Sequence, residues 1–266
     1  MAGPIVTLTT DFGTADYYVG AMKGAVLEVC PDAEIIDLTH DLPTYDILEA
    51  AFTLALASAP YPYRTIHVVV VDPAVGTDRR ALLVSGDQHY YIAPDNGVLS
   101  FIYPKQEKLA VYHITSDHYF RRPVSATFHG RDVFAACAGW LAKGVEAAKF
   151  GEPIEDYVKL NVPKAQATGE KTWKALVLKI DRFGNVITNI AAEDVPALFA
   201  EPTPPFKLSI GGKEVAKLVP TYSVGEKGEI FAVLGSSGYL EVAANRNPAA
   251  KLLGVNRGAE VLLTLA

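Results

Sequence analysis

The sequence predicts a mixed α/β protein in two parts. An N-terminal domain, residues 1–160, would hold a mostly parallel sheet, and residues 161–266 a smaller antiparallel, barrel-like β domain. Three observations carry this prediction. As far as Gly151, short apolar segments of strand length alternate with segments of helical period. From Trp173 onward the apolar segments are all short, with Gly and Pro between them. Between the halves, Glu152 to Lys171 carries Pro153, Pro163, Gly169 and several charges with weak periodicity, as a linker would.

Ile5 to Leu8 reads as a strand that ends at Thr9-Thr10-Asp11-Phe12-Gly13. Asp16 to Val29 has helical spacing, with Tyr18, Met22, Val26 and Val29 on one face. Glu34 to Leu38 is a second strand, closing at Thr39-His40. Asp46 to Ala57 is apolar and Ala-rich, which suits a buried helix. Thr65 to Val71 is β-branched and continuous, as expected of a strand covered on both faces, and it leads into Asp72-Pro73. A further helix spans Val133 to Leu141. In the C-terminal part the strands are Trp173–Ile180, Val186–Ile190, Phe206–Ile210, Glu229–Leu234, Tyr239–Ala243 and Glu260–Leu265. Gly211-Gly212 and the stretch from Gly225 to Gly228 mark turns.

Half of the 266 residues are hydrophobic and a fifth are charged, the balance of a globular chain rather than a disordered or fibrous one. The apolar runs are too short for a membrane helix; His67 interrupts even Ile66 to Val71. No basic region or cleavage site precedes Ile5, so no signal peptide is expected. Two cysteines, Cys30 and Cys137, make neither a disulfide framework nor a zinc site, and a cytoplasmic setting is expected. The net charge is −6 with no long basic run, which argues against a nucleic-acid partner.

Phosphate-cradling glycine loops, the H-E-x-x-H zinc motif, the G-x-S-x-G elbow and paired C-x-x-C are all missing from the sequence. In α/β sheets ligands bind outside the carboxyl ends of the strands. The residues there are Asp11, Thr39-His40, Asp72 and Pro94-Asp95-Asn96-Gly97. Three of the four carry an acid and none offers a positive charge, which suits a ligand with hydroxyls or cationic groups. Asp11 could accept two hydrogen bonds from a ribose diol, or serve as a turn or cap acid. In Asp72 to Arg80, Pro73 stiffens the exit and Gly76 permits a turn, so Arg79 can return to Asp72. A carboxylate beside a guanidinium is kept ionised and oriented; the same residues also fit an ordinary loop ion pair. His129, in Phe128-His129-Gly130-Arg131-Asp132, stands where a histidine titrates near neutrality or is satisfied by backbone. His67, His89, His113 and His118 read as structural. Asp181-Arg182-Phe183-Gly184-Asn185 fits a hairpin turn, or a site where the Asn185 amide reads an adenine edge. Gly235-Ser236-Ser237-Gly238-Tyr239-Leu240-Glu241 fits a polar bend with close approach, or an ordinary turn.

Taken together, these segments resemble the S-adenosyl-L-methionine hydroxide adenosyltransferase family, relatives of the fluorinases and chlorinases. The resemblance rests on Thr9 to Gly13 with Asp16, Tyr18-Val19-Gly20 and Met22-Lys23-Gly24, and on Asp37-Leu38-Thr39-His40 with Pro43 and Asp46-Ile47. It continues through Val71-Asp72-Pro73 to Arg80, Ala93 to Gly97, Phe128 to Asp132, Phe183-Gly184-Asn185 with Thr188-Asn189, and Ser236 to Tyr239, in order along nearly the whole chain. It implies attack of water on ribose C5′ of S-adenosyl-L-methionine, giving adenosine and methionine. It also implies a homotrimer with sites between subunits. The sequence shows no metal cluster, so no metal is expected, and S-adenosyl-L-methionine is expected as substrate with no cofactor. Asp72, Arg79 and His129 fall on the catalytic positions and Asp11 on the ribose acid. Asp181 matches the acid that holds the methionine ammonium, Asn185 the adenine reader, and Ser236 a residue near the methionine carboxylate. Tyr45 stands where halogenating relatives place an aromatic, and Tyr222 is a candidate adenine contact. Phe183, Ser237, Tyr239 and Glu241 complete the implied substrate-binding set.

Two positions depart from the family pattern: Ala74 where glycine is frequent, and Ser237 where some relatives carry a basic residue. Halogenating relatives lack the carboxylate of Asp72 and have a longer N-terminal insertion. The acid would repel an incoming halide but not water, so hydrolysis is expected over halogenation. A halogenase and a non-catalytic S-adenosyl-L-methionine or adenosine binder are the alternative functions.

Overall fold

The computed structural model describes residues 3–266; Met1, the expected start of the first domain, lies outside the described residues. The fold is mixed α/β with two sheets. The chain divides into two compact units, residues 1–162 and 163–266.

In the first unit a six-stranded sheet is formed by β1 (Ile5–Thr10), β2 (Glu34–Thr39), β3 (Ile66–Val70), β4 (Ala81–Ser85), β5 (Tyr90–Pro94) and β6 (Ala110–His113), in the order β2-β1-β3-β5-β4-β6. β1, β2, β3 and β5 pair in parallel, and β4 is antiparallel to both its neighbours. β1 is buried on both faces: Val6 and Leu8 point into an apolar core, while Thr7, Thr9 and Thr10 are also buried. Helix α1 (Tyr18–Val29) buries Val19, Met22, Ala25 and Val26. Met22 and Val26 therefore lie on the inner stripe as the sequence predicts, while Val19 and Ala25 stand there in place of Tyr18 and Val29. Tyr18 instead turns its ring edge-on to Phe12 and Phe128. Helix α2 (Ile47–Ala57) starts at Asp46, whose carboxylate accepts the Glu49 N–H at 2.9 Å. The predicted helix 133–141 begins earlier, as a π-helical turn over Gly130–Ala135 that runs into α3 (Ala136–Ala142). A Cβ at Gly139 would stand 2.8 Å from Val29 Cβ, so only glycine lets these helices pack this closely.

The expected linker is mostly not a linker. Ile154 N–H donates to Val111 O, Val158 N–H to Asp95 Oδ1 and Leu160 N–H to Ser100 Oγ, so residues 152–160 are strapped to the first unit. The strap is also held by Arg80 Nη1 donating to Asp156 Oδ1 at 2.7 Å and by the Tyr157 ring against Tyr103, contacts with no local periodicity to reveal them.

The second unit holds β7 (Gln166–Gly169), β8 (Thr172–Ile180), β9 (Val186–Ala191), β10 (Phe206–Ile210), β11 (Lys213–Val215), β12 (Leu218–Val219), β13 (Ile230–Leu234), β14 (Tyr239–Ala244), α4 (Ala249–Leu253) and β15 (Glu260–Leu265). The strand order is β11-β10-β15-β8-β9-β14-β13-β12, with β7 on β8, and every pair is antiparallel except β12 with β13. β8 pairs with β15 over its first half and with β9 over its second, and the β8–β9 register slips between Val177 and Lys179. Such slips increase twist, and the sheet curls as a half-barrel around Val177, Leu208, Val242, Val261 and Leu263. Gly211 and Gly212, both at positive φ, close the β10–β11 hairpin, as the sequence predicts.

Candidate active site

β1 and β3 lie side by side with Thr10 opposite Val70. Their exits therefore carry Asp11 and Asp72 to the same edge of the sheet. After Asp72 the chain turns back: Val75 N–H donates to Asp72 O, and Thr77 Oγ1 donates to Ala74 O at 2.7 Å. Gly76 has φ +80°, and a Cβ there would lie 2.1 Å from Ala126 O, so the turn needs glycine on both counts. Ala74 is not at positive φ, so its methyl costs the turn no strain.

The turn returns Arg79 to Asp72. Arg79 Nη2 lies 2.5 Å from Asp72 Oδ2, and Nε lies 2.8 Å and 3.0 Å from the two oxygens. The side chains are only 3% (Asp72) and 8% (Arg79) exposed, so this is a buried pair rather than the surface loop bridge that remained open from sequence. The same Nη2 reaches His129 Nδ1 at 3.0 Å, and the guanidinium stacks 5.1 Å from the Phe134 ring centre. Burial, then the charge of Arg79, hold the His129 pKa below its usual value; Asp72 and Asp132 act in the opposite direction. Asn96 Nδ2 donates to Val71 O at 2.8 Å and so pins the strand exit just before Asp72.

Asp11 Oδ2 accepts the Tyr45 N–H at 2.8 Å. Tyr45 has φ +65° and is 68% exposed. Asp11 and Tyr45 are thus brought together, as are Asp72, Arg79 and His129.

In the second unit, Asp181 organises the β8–β9 turn. Its Oδ1 accepts the N–H groups of Phe183 and Asn185, and its Oδ2 accepts Asn185 Nδ2 at 2.9 Å. The hairpin reading is therefore correct for the backbone, and it coexists with a cleft of about 560 Å³ lined by Asp181, Phe183, Asn185, Tyr222, Arg246 and Pro248. Tyr222 Oη donates to Glu241 Oε2 at 2.9 Å. Glu241 is buried with its carboxyl against Gly235, so it meets the cleft through Tyr222 alone. Burial pushes the Glu241 pKa up, and the Tyr222 pKa is pushed to about 12 by burial and then by Glu241. Ser236, Ser237 and Tyr239 lie at the β13–β14 turn, outside the cleft lining; Ser237 Oγ is buried without a hydrogen-bond partner.

Sequence reasoning missed Phe134, Asn96's role as a pin, and the wall built by Arg246 and Pro248. The Asn245-Arg246-Asn247-Pro248 turn signal was available for the last of these. Among the described residues, no group of three or more His, Cys, Asp or Glu is placed to hold a metal ion, and no helix is long and apolar enough to cross a membrane.

An acid-lined strand edge in an α/β unit and an amide-and-aromatic cleft in a β unit define a two-unit small-molecule enzyme. Comparison gives the particular lineage. Residues 6–151 match the SAM hydroxide adenosyltransferase N-terminal domain, and residues 175–262 match its C-terminal domain. The chain belongs to this family. It is 35% identical to the (R)-S-adenosyl-L-methionine hydrolase of Methanocaldococcus jannaschii, over 95% of this chain and 92% of that one. It is 36% identical to the protein of the same name from Salinispora tropica, over 98% of each. Proteins named fluorinase match less well, at 25–28%. A crystal structure of an uncharacterized conserved protein from Thermotoga maritima superposes with TM-score 0.91 at 32% identity, covering 98% of this chain and 99% of that one.

Proposed function

We propose that this protein hydrolyses S-adenosyl-L-methionine to adenosine and L-methionine, by attack of water at ribose C5′. The observation that carries the reading is Arg79 Nη2 shared between Asp72 and His129 at a buried strand exit. Sulfonium sulfur leaves without protonation, so the work left to the protein is to place and activate water. Asp72 accepts the water proton while Arg79 holds the carboxylate in one orientation. Arginine has no acceptor, so its contact with Nδ1 requires a lone pair there. Neutral His129 then carries its proton on Nε2 and orients water as a donor. Positioned proton transfer typically gives about 10²–10⁴-fold. Alignment of water with C5′ supplies up to roughly 7–11 kcal/mol in favourable cases.

Asp11 holds the ribose hydroxyls with Tyr45 against the ligand. Asp181, Phe183, Asn185 and Tyr222 take the adenine and methionine ammonium, Ser236 and Ser237 lie near the methionine carboxylate, and Tyr239 and Glu241 complete the substrate-binding set, Glu241 by holding the Tyr222 hydroxyl. This divides the work between a mostly parallel α/β domain, residues 1–160, and a barrel-like β domain, residues 161–266. The active assembly is a cytoplasmic homotrimer with sites between subunits, and S-adenosyl-L-methionine is consumed as substrate with no cofactor. The acid at position 72 favours water over halide, which sets this reading above a halogenase. A retained ligand without turnover would instead mark a binding protein.

The test is product analysis after incubation with S-adenosyl-L-methionine, with and without chloride or fluoride. Adenosine and methionine in both arms support hydrolysis. A 5′-halo-5′-deoxyadenosine, or intact substrate after long incubation, overturns it.

A further inference from the structure

His40, only 5% exposed, ties down the Asp11 turn on both flanks, and no step above uses it. β1 and β2 run in parallel register as far as Leu8 and Asp37, then slip so that Thr9 faces Thr39. The chain leaving the slip carries His40 to Thr10, with Nδ1 2.8 Å from Thr10 Oγ1. Thr10 Oγ1 in turn accepts the Phe12 N–H at 3.2 Å, and the His40 carbonyl accepts the Gly13 N–H at 2.8 Å. Thr10 and Gly13 are thus fastened to His40, and Phe12 to Thr10, with Asp11 between them.

The far side of the ring fixes its tautomer. Nε2 lies 3.0 Å from Asp37 Oδ1, off the straight hydrogen-bond line, and Asp37 Oδ2 takes Lys23 Nζ at 2.6 Å. Two lone pairs do not settle at that separation, so Nε2 carries the proton. Nδ1 is then an acceptor and the Thr10 hydroxyl donates to it. That leaves the Thr10 oxygen's lone pairs for Phe12 N–H. The relay runs in one direction from the Asp11 turn to Asp37, as do the outer carboxylates that orient histidines at metal sites.

We propose that His40 is a positioning residue that sets the direction in which Asp11 presents its carboxylate to the vicinal hydroxyls of a nucleoside. The inference rests on the reading of Asp11 as the ribose-holding acid. A merely structural histidine would weaken every ligand alike. A positioning one affects only ligands that carry the diol.

The test is calorimetric binding of adenosine and of 2′,3′-dideoxyadenosine to the wild type, His40→Ala, Thr10→Val and His40→Asn. The wild type binds adenosine at least about tenfold more tightly than the dideoxy analogue, as hydrogen bonds to a charged group imply. His40→Ala and Thr10→Val bring that ratio near one while affinity for the dideoxy analogue stays within about twofold. His40→Asn, whose amide oxygen can stand in for Nδ1, regains most of the ratio. Variants that keep the wild-type ratio, or that lose both ligands alike, overturn the role of His40. A wild-type ratio near one overturns the Asp11 reading itself and this inference with it. Thr10→Val, close in shape to the original, carries the test alone if His40→Ala does not fold.

Discussion

Arg79 Nη2 donates to His129 Nδ1 across 3.0 Å while the same nitrogen, with Nε, also donates to the Asp72 carboxylate. A protonated His129 would have to present an N–H to this donor, so acid breaks the contact. Burial and the Arg79 charge hold the His129 pKa below 6.5, so the working neutral form persists to below that pH. The acid limb of log kcat/KM should therefore fall below about pH 6.5. Because the folded pKa is depressed, the unfolded chain binds the extra proton first. The stability contribution is present above the unfolded pKa and is lost as pH falls through the folded one. His129→Asn, which offers Arg79 an amide oxygen, should remove the histidine part of the limb. An unchanged limb in that variant would contradict the assignment.

The Asp72–Arg79 pair makes a second prediction, because burial separates its stability effect from its catalytic one. Arg79→Met leaves a carboxylate buried without its partner and should cost about 3–5 kcal/mol in chemical denaturation. Adding Asp72→Leu removes the orphaned charge and should recover most of that loss, while hydrolysis stays down by at least about 10²-fold. Stability that falls further in the double variant would show that the pair is not the unit described.

Much of the fold was legible because its elements differ in period. The continuous β-branched run that became β3 and the short strands beyond Trp173 could not be read as amphipathic helices. The Asp72 turn was legible because Gly76 and the Arg79 spacing together allow the return. Other features left no such trace. The absence of Tyr18 from the buried α1 stripe goes with its ring contacts to Phe12 and Phe128, the second of them distant in sequence. The strap at residues 152–160 is held by backbone N–H groups, which every non-proline residue carries, and by Asp156 and Tyr157 meeting Arg80 and Tyr103, which are distant in sequence. The Asp181 turn shows why the hairpin and site readings could not be separated by letters: the carboxylate that closes the turn also lines the cleft.

Tyr45 holds a left-handed backbone, which costs a residue with a Cβ about 1–2 kcal/mol. Its N–H serves Asp11 whatever the side chain, and its ring is largely exposed. Tyr45→Gly should therefore keep or slightly raise thermal stability, glycine's chain entropy offsetting about 0.5–1 kcal/mol of the relief. The same change should raise KM for S-adenosyl-L-methionine, since the proposed site sets the ring against the ligand. A lowered melting temperature with unchanged KM would mean the ring packs for stability instead.

Glu241 gives the sharpest pH signature in the second unit. Burial raises its pKa, Tyr222 donates to it against that trend, and Asp181 adds repulsion. An acid with a raised folded pKa keeps its proton longer in the native state than in the unfolded chain. Stability from this group is therefore complete below the unfolded pKa, about 4.3 for glutamate, and is lost as pH rises through the folded value. Glu241→Gln removes the charge while leaving an oxygen for the Tyr222 hydroxyl. The variant should be more stable than wild type near neutral pH, and the difference should shrink toward zero near pH ~4, where wild-type Glu241 is protonated. Tyr222→Phe should shift stability the other way at neutral pH, since it strips the one donor and leaves the buried charge alone. Urea denaturation of the three proteins at both pH values checks this; a Glu241→Gln advantage that is the same at both would rule out titration of Glu241 as its source.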